Sequence, residues 1–234
     1  VAVKRITGVS LRDYADSVFF KPLGMTNTHF HSDHAEITPN RTSAYSKDPN
    51  GVWKISIPVF DNYGATSLFT TVEDLAKWDE NFYTKKAGGD AFINLMQATG
   101  ALTNQTAQTY AAGLIVSTYK GYKTVAHSGA DAGYRSNMIR FPDEHFSVVI
   151  LANLASINTI SLSYKVADLF LKDKRVQQPA FKADYNIVKG WAGDYFDMST
   201  QSLQKLTYTN EKLSAGITEF LATTNSTFTI PNTA

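Results

Sequence analysis

The densest group of residues able to do chemistry is the run His127-Ser-Gly-Ala-Asp-Ala-Gly-Tyr-Arg-Ser136, which joins one β-rich segment to the next. Its glycines let a ligand approach the backbone closely. A strand edge followed by Gly129 and Ala130 offers backbone N–H groups to an extended substrate or a developing oxyanion, while His127 and Ser128 point polar groups into the same space. Arg135 is placed to meet a substrate acid group, and Asp131 either pairs with His127 or is a solvated turn residue. Taken alone, the same spacing also describes a glycine-containing β-hairpin loop with an incidental histidine.

A second cluster is His29, His31 and His34. Strand alternation puts His29 and His31 on one face as candidate metal ligands, but no Asp or Glu pattern completes a site, so the reading is a polar loop. No metal or cofactor is expected. The chain has no cysteine, which excludes disulfides, thiolate catalysis and Cys-based metal centres. Its 22 Lys+Arg and 21 Asp+Glu are interspersed, with a net charge of +1, so neither nucleic acid nor an anionic membrane is an expected partner. The longest apolar runs, Phe146 to Leu151 and Ala167 to Leu171, are far too short to span a bilayer.

The elements that must position these residues are legible from periodicity. Ser10 and Asp13 have capping-box spacing ahead of a helix from Leu11 to Phe20, stopped by Pro22 and Gly24. Residues Thr26 to Gly64 read as a long irregular excursion over the surface, with Trp53, Phe60 and Tyr63 as candidates for a pocket mouth. Helices follow over Val72 to Tyr83 and Asp90 to Ala98. Short β-rich runs at Ala112 to Thr118, Lys123 to His127, Ser136 to Phe141 and Phe146 to Ala152 predict an antiparallel meander. Ile157 to Leu171 predicts a helix covering one sheet face. The expected fold class is therefore α/β of the α+β type, an antiparallel sheet covered by helices over residues 1–176. A small β-rich domain, opening at Trp191-Ala-Gly-Asp-Tyr195, is expected over 177–234.

The segment His127-Ser-Gly resembles the third motif of serine β-lactamases and penicillin-binding proteins: Lys or His, then Thr or Ser, then Gly, on a strand lining the active site. Its continuation through Gly133-Tyr-Arg-Ser and Phe141-Pro142-Asp143 is similar to the class C branch. Further segments match in order: Thr7-Gly-Val-Ser-Leu11, Phe20-Lys-Pro-Leu-Gly-Met25, Gly64-Ala-Thr-Ser-Leu-Phe-Thr-Thr, and Tyr110 with Gly113-Leu114. The resemblance covers Val3 to about Leu171. It implies a serine acyl hydrolase acting on a small molecule or peptide in the periplasm or outside the cell. His127, Ser128 and Ala130 would be catalytic, and Gly129, Asp131, Tyr134 and Arg135 would bind substrate. A histidine in place of the lysine weakens recognition of a substrate carboxylate, because imidazole is mostly neutral at pH 7.

The family's nucleophile is a serine at a helix start with a lysine one turn later. The literal matches are Ser117 with Lys120, in a β-run where side chains three apart face opposite ways, and Ser202 with Lys205, beyond the motif region. Neither fits. Tyr45 is followed by Lys47 where the family's second motif wants Asn. The chain starts Val1-Ala-Val-Lys-Arg without Met, so it is read as a C-terminal portion, with the nucleophile and tyrosine motif expected upstream. A missing N-terminal half is then a candidate partner. A catalytically silent homologue that binds cell-wall peptide or a protein partner in the same groove is the alternative.

Overall fold

The computed structural model describes residues 1–104, 108–174, 184–198, 201–216, 218–224 and 226–229. Helix α1 (Ala2–Thr7) ends at Gly8, whose φ of 77° is the left-handed conformation glycine tolerates. The Ser10 side chain then accepts a hydrogen bond from the Asp13 N–H and starts α2 (Leu11–Ala15). Pro22 does not stop this helix. A π-helical turn over Asp16–Phe20 leads directly into α3 (Lys21–Leu23), and the helix ends only at Gly24. The Lys21 N–H reaches back to the Asp16 carbonyl, so Pro22 enters in the first turn of a new segment, where its missing N–H costs nothing. Ala15, Phe20 and Met25 are buried there against Phe19, Leu23, Phe30 and Trp78.

The excursion carries three short strands: β1 (His29–Phe30), β2 (Tyr45–Lys47) and β3 (Trp53–Ile55). Strand β2 pairs with β3, and β1 with β4 (Leu68–Phe69). Thr71 caps α4 (Val72–Thr84) through the Asp74 N–H, and α5 (Gly89–Gln97) follows.

The centre of this part is an antiparallel sheet of β5 (Ile115–Tyr119), β6 (Tyr122–Asp131), β7 (Tyr134–Phe141) and β8 (Phe146–Ala152), in that order. Lys120 and Gly121, with φ of 49° and 82°, form the tight turn between β5 and β6. Alternation sends one set of side chains to each face. Ile139, Phe141 and Val148 pack with Tyr122 against Ala167 of α6 (Thr159–Phe170). Arg140 and Ser147 point to the other face, where both bond Asp79 of α4. The predicted loop at 127–136 is mostly strand. Strand β6 runs on to Asp131 and β7 begins at Tyr134, because small residues at Gly129 and Ala130 still satisfy the ladder.

The chain separates into two compact units, Val1–Lys174 and Arg175–Ala234. The boundary expected between 176 and 177 lies outside the described residues. In the second unit, Asp184 caps α7 (Tyr185–Lys189). A five-stranded antiparallel meander follows: β9 (Gly193–Asp197), β10 (Ser202–Thr209), β11 (Lys212–Ala215), β12 (Thr218–Ala222) and β13 (Phe228–Thr229). Val188 of α7 and Leu213 of β11 are buried, and Trp191 meets Phe228 edge-on at 6.1 Å. Among the described residues no helix is long and apolar enough to cross a membrane.

Candidate active-site wall

Register places the motif on a strand whose outer edge is open. Strand β5 begins only at Ile115, opposite Ala126, so from His127 to Asp131 β6 is paired only with β7 among the described residues. Asp131 and Tyr134 flank a two-residue loop and so form a hydrogen-bonded pair of the antiparallel ladder. Counting back, Gly129 and His127 bond across to β7, whereas Ala130 and Ser128 aim their N–H and C=O groups at the open edge. The same alternation sends the His127 and Ser128 side chains to opposite faces, so they do not share one space. His127 lies on the face of Met138 and Ser136, and Ser128 on that of Asn137. What they share is the edge.

His127 is exposed, with its Nδ1 2.7 Å from the Ser128 carbonyl oxygen and its Nε2 3.0 Å from the Tyr110 hydroxyl. A carbonyl only accepts, so Nδ1 carries the proton, and in the neutral ring Nε2 accepts from the tyrosine O–H. The two rings meet edge to face at 5.9 Å. Tyr110, not Asp131, is thus the partner of His127. Spacing could not have found it, because Tyr110 belongs to no local pattern with a residue 17 positions away and the pair is made by the fold of β5 against β6.

The other motif residues gather at the hairpin tip. The Tyr134 hydroxyl donates to the Thr42 carbonyl at 2.6 Å and ties the excursion to the sheet. One Arg135 Nη donates to the carbonyls of Ala132 and Tyr134, so its guanidinium folds over its own turn. Gly133 serves the protein's own backbone rather than a ligand: its N–H donates to the Ser56 carbonyl, and a Cβ there would lie 2.7 Å from the Tyr45 nitrogen. A Cβ at Gly129 would lie 2.4 Å from the Ser136 Oγ. Asp131, Tyr134 and Arg135 line a cleft of about 710 Å³ together with Arg41, Phe69 and Asn153, whereas His127 to Ala130 do not. Trp53, Phe60 and Tyr63 are not among its walls. Trp53 lies beneath Lys47, and Tyr63 faces Phe30.

Neither serine–lysine pair is arranged for nucleophilic attack. Ser117 is on β5, while Lys120 in the following turn holds Asp168 at 2.6 Å. Ser202 and Lys205 both lie on β10, where three residues' separation puts them on opposite faces. Tyr45 sits exposed on β2.

The histidine cluster is more than a polar loop. The His29 Nε2 is 3.3 Å from the His31 Nδ1, and a Glu36 oxygen lies 3.9 Å from that same Nδ1. No acidic pattern in the sequence pointed to Glu36. Burial, then the nearby Arg12, keeps the His29 pKa below its ordinary value, and burial does the same for His31. Hydrogen bonds from Arg12 hold the Glu36 carboxyl at about 2. At neutral pH this is two neutral imidazoles facing a carboxylate.

An antiparallel sheet with α6 on one face and α4 on the other, and an open-edged motif strand, is the layout of a β-lactamase or transpeptidase. The Beta-lactamase family model matches residues 1–162, and the chain belongs to that family. None of the curated proteins matches it. Among solved structures it is similar to an octameric penicillin-binding protein homologue from Pyrococcus abyssi (TM-score 0.65, 19% identity, 97% of this chain and 51% of that one). It is also similar to a penicillin-binding protein from Bacillus halodurans (0.63, 18%, 72% and 52%) and to a D-stereospecific amidohydrolase from a Streptomyces species (0.56, 16%, 70% and 50%). At these identities the likeness is one of fold. The chain spans about half the length of the solved structures it matches.

Proposed function

We propose that this chain forms one wall of the active site of a serine acyl hydrolase, of the β-lactamase, D-amino peptidase or esterase type. The nucleophilic serine, its lysine and the tyrosine motif would come from polypeptide outside residues 1–234. The observation that carries this reading is the open edge of β6, with the Ser128 and Ala130 backbone groups turned outward beside His127. An extended substrate adds to such an edge as a further strand. The Ala130 N–H then donates to the oxyanion, and Gly129 keeps the strand surface low. His127, with its proton on Nδ1 toward the Ser128 carbonyl, presents Nε2 to the Tyr110 hydroxyl, and this pair hydrogen-bonds the substrate or the general base. The Ser128 hydroxyl hydrogen-bonds the substrate, and Asp131, Tyr134 and Arg135 border its far end. Such an enzyme works in the periplasm or outside the cell.

Intact mass spectrometry of the natural full-length polypeptide, incubated with a penicillin and separately with an activated acyl ester, tests the reading. A stable acyl adduct on a serine outside this chain is the expected result, and the reagent that labels separates β-lactam from ester chemistry. No adduct from either reagent on folded protein would leave the silent homologue, binding cell-wall peptide in the same groove.

A further inference from the structure

We propose that His29, His31 and Glu36 bind one divalent transition-metal ion of the zinc class, at a site separate from the β6 edge. One imidazole nitrogen from each histidine and one Glu36 oxygen all lie within 4.8 Å of one another. The separation of the two nitrogens, 3.3 Å, is the distinctive feature. Two ligands of a tetrahedral zinc, each about 2.0–2.1 Å from the ion, stand about 3.3–3.4 Å apart. The Glu36 oxygen lies 3.9 Å from the His31 Nδ1 and within 4.8 Å of the His29 nitrogen, so the carboxylate must move inward to complete the triangle.

The rings are held in place before any ion arrives. His31 is 4% exposed, its backbone N–H donates to the Ser67 carbonyl, and its ring stacks on Phe69 at 4.3 Å with an interplanar angle of 9°. His29 lies in register opposite Phe69 on the β1–β4 ladder. In the free protein the His29 Nε2–His31 Nδ1 contact is a hydrogen bond whose proton the ion replaces, and His31 then carries its proton on Nε2, which is buried without a partner. Arg12 holds Glu36 by both carboxylate oxygens, at 2.5 and 2.7 Å. An ion that takes one oxygen leaves the other on Arg12, which then orients the ligand in the way outer partners of metal sites do. Arg12 also adds a positive charge nearby, and this sets the expected affinity in the micromolar range rather than below it. A cleft of about 330 Å³, bordered by His29 and Glu36 with Asp13 and Asp16, gives water access to the fourth position. Two imidazoles select against Mg²⁺ and Ca²⁺, which prefer all-oxygen sites.

The test is calorimetric titration of the 234-residue chain with zinc chloride, with magnesium chloride as control. One zinc per chain should bind with micromolar Kd and magnesium should not. His29→Gln should weaken zinc at least about tenfold. His34→Gln, which alters the exposed Asp33–His34–Asp61 group, should leave Kd within about twofold. A Kd weaker than about 1 mM, an affinity that His29→Gln leaves unchanged, or a loss that follows His34→Gln instead would overturn the site. Should His29→Gln fail to fold, the ring ¹⁵N shifts of the unsubstituted chain decide. Movement of the His29 Nε2 and His31 Nδ1 resonances on adding zinc supports the site, and stationary resonances reject it.

Discussion

Arg140 is 2% exposed and is paired there, with Asp79 accepting from its guanidinium and the rings of Phe82 and Tyr83 lying 4.0 and 4.9 Å from it. Removing one partner of a buried pair leaves the other uncompensated. Asp79→Ala should therefore lower unfolding free energy by about 3–5 kcal/mol in a urea titration, far more than an exposed change would. Acid should act on a different set of groups. Glu36 is held at about 2 by Arg12, and Asp74 is also held below its ordinary value. Burial pushes Asp74 up, but its bonds to Lys77, Thr28 and the Asn27 N–H outweigh that. A carboxylate with a depressed folded pKa contributes stability that is fully present above its unfolded value of about 4 and is lost as pH falls through the folded value. Melting temperature should therefore drop between about pH 4.5 and 2, and Glu36→Gln should flatten part of that slope. A melting temperature independent of pH in this window would contradict the assigned pairs.

At the scale of elements, two glycines of one motif carry different burdens. Gly133 sits against backbone atoms of Tyr45 and Ser56 that cannot move alone, whereas Gly129 faces only the tip of the Ser136 side chain, which can rotate. Gly133→Ala should cost about 1–3 kcal/mol by overpacking, and Gly129→Ala clearly less, as read from paired denaturation curves. Helix α4 depends on its cap, so Thr71→Ala should cost about 1 kcal/mol.

At the scale of the whole chain, what governs reactivity is that, among the described residues, no helix carries a serine with a lysine three positions on. The 234-residue chain incubated with a penicillin should show no mass increase, because Ser117 and Ser202 both lie on strands and Lys120 is engaged by Asp168. An adduct on either serine would refute that assignment. The segments that matched expectation were those with long uninterrupted periodicity, such as α4, β8 and α6. Those that departed were set by neighbours. Pro22 is carried by a π turn, and the 127–136 loop is drawn into strand by pairing with β7.

Residue type and order alone determined the family resemblance, the antiparallel sheet with its covering helix, and the candidate motif at His127, Ser128 and Gly129. All of these rest on local periodicity or contiguous strings. Only the tertiary structure decided that β5 begins only at Ile115 and leaves the β6 edge open, that Tyr110 rather than Asp131 meets His127, and that Glu36 joins His29 and His31. Each of these depends on where strands end and loops return. Packing between residues far apart in the chain sets that geometry, and no local pattern encodes it.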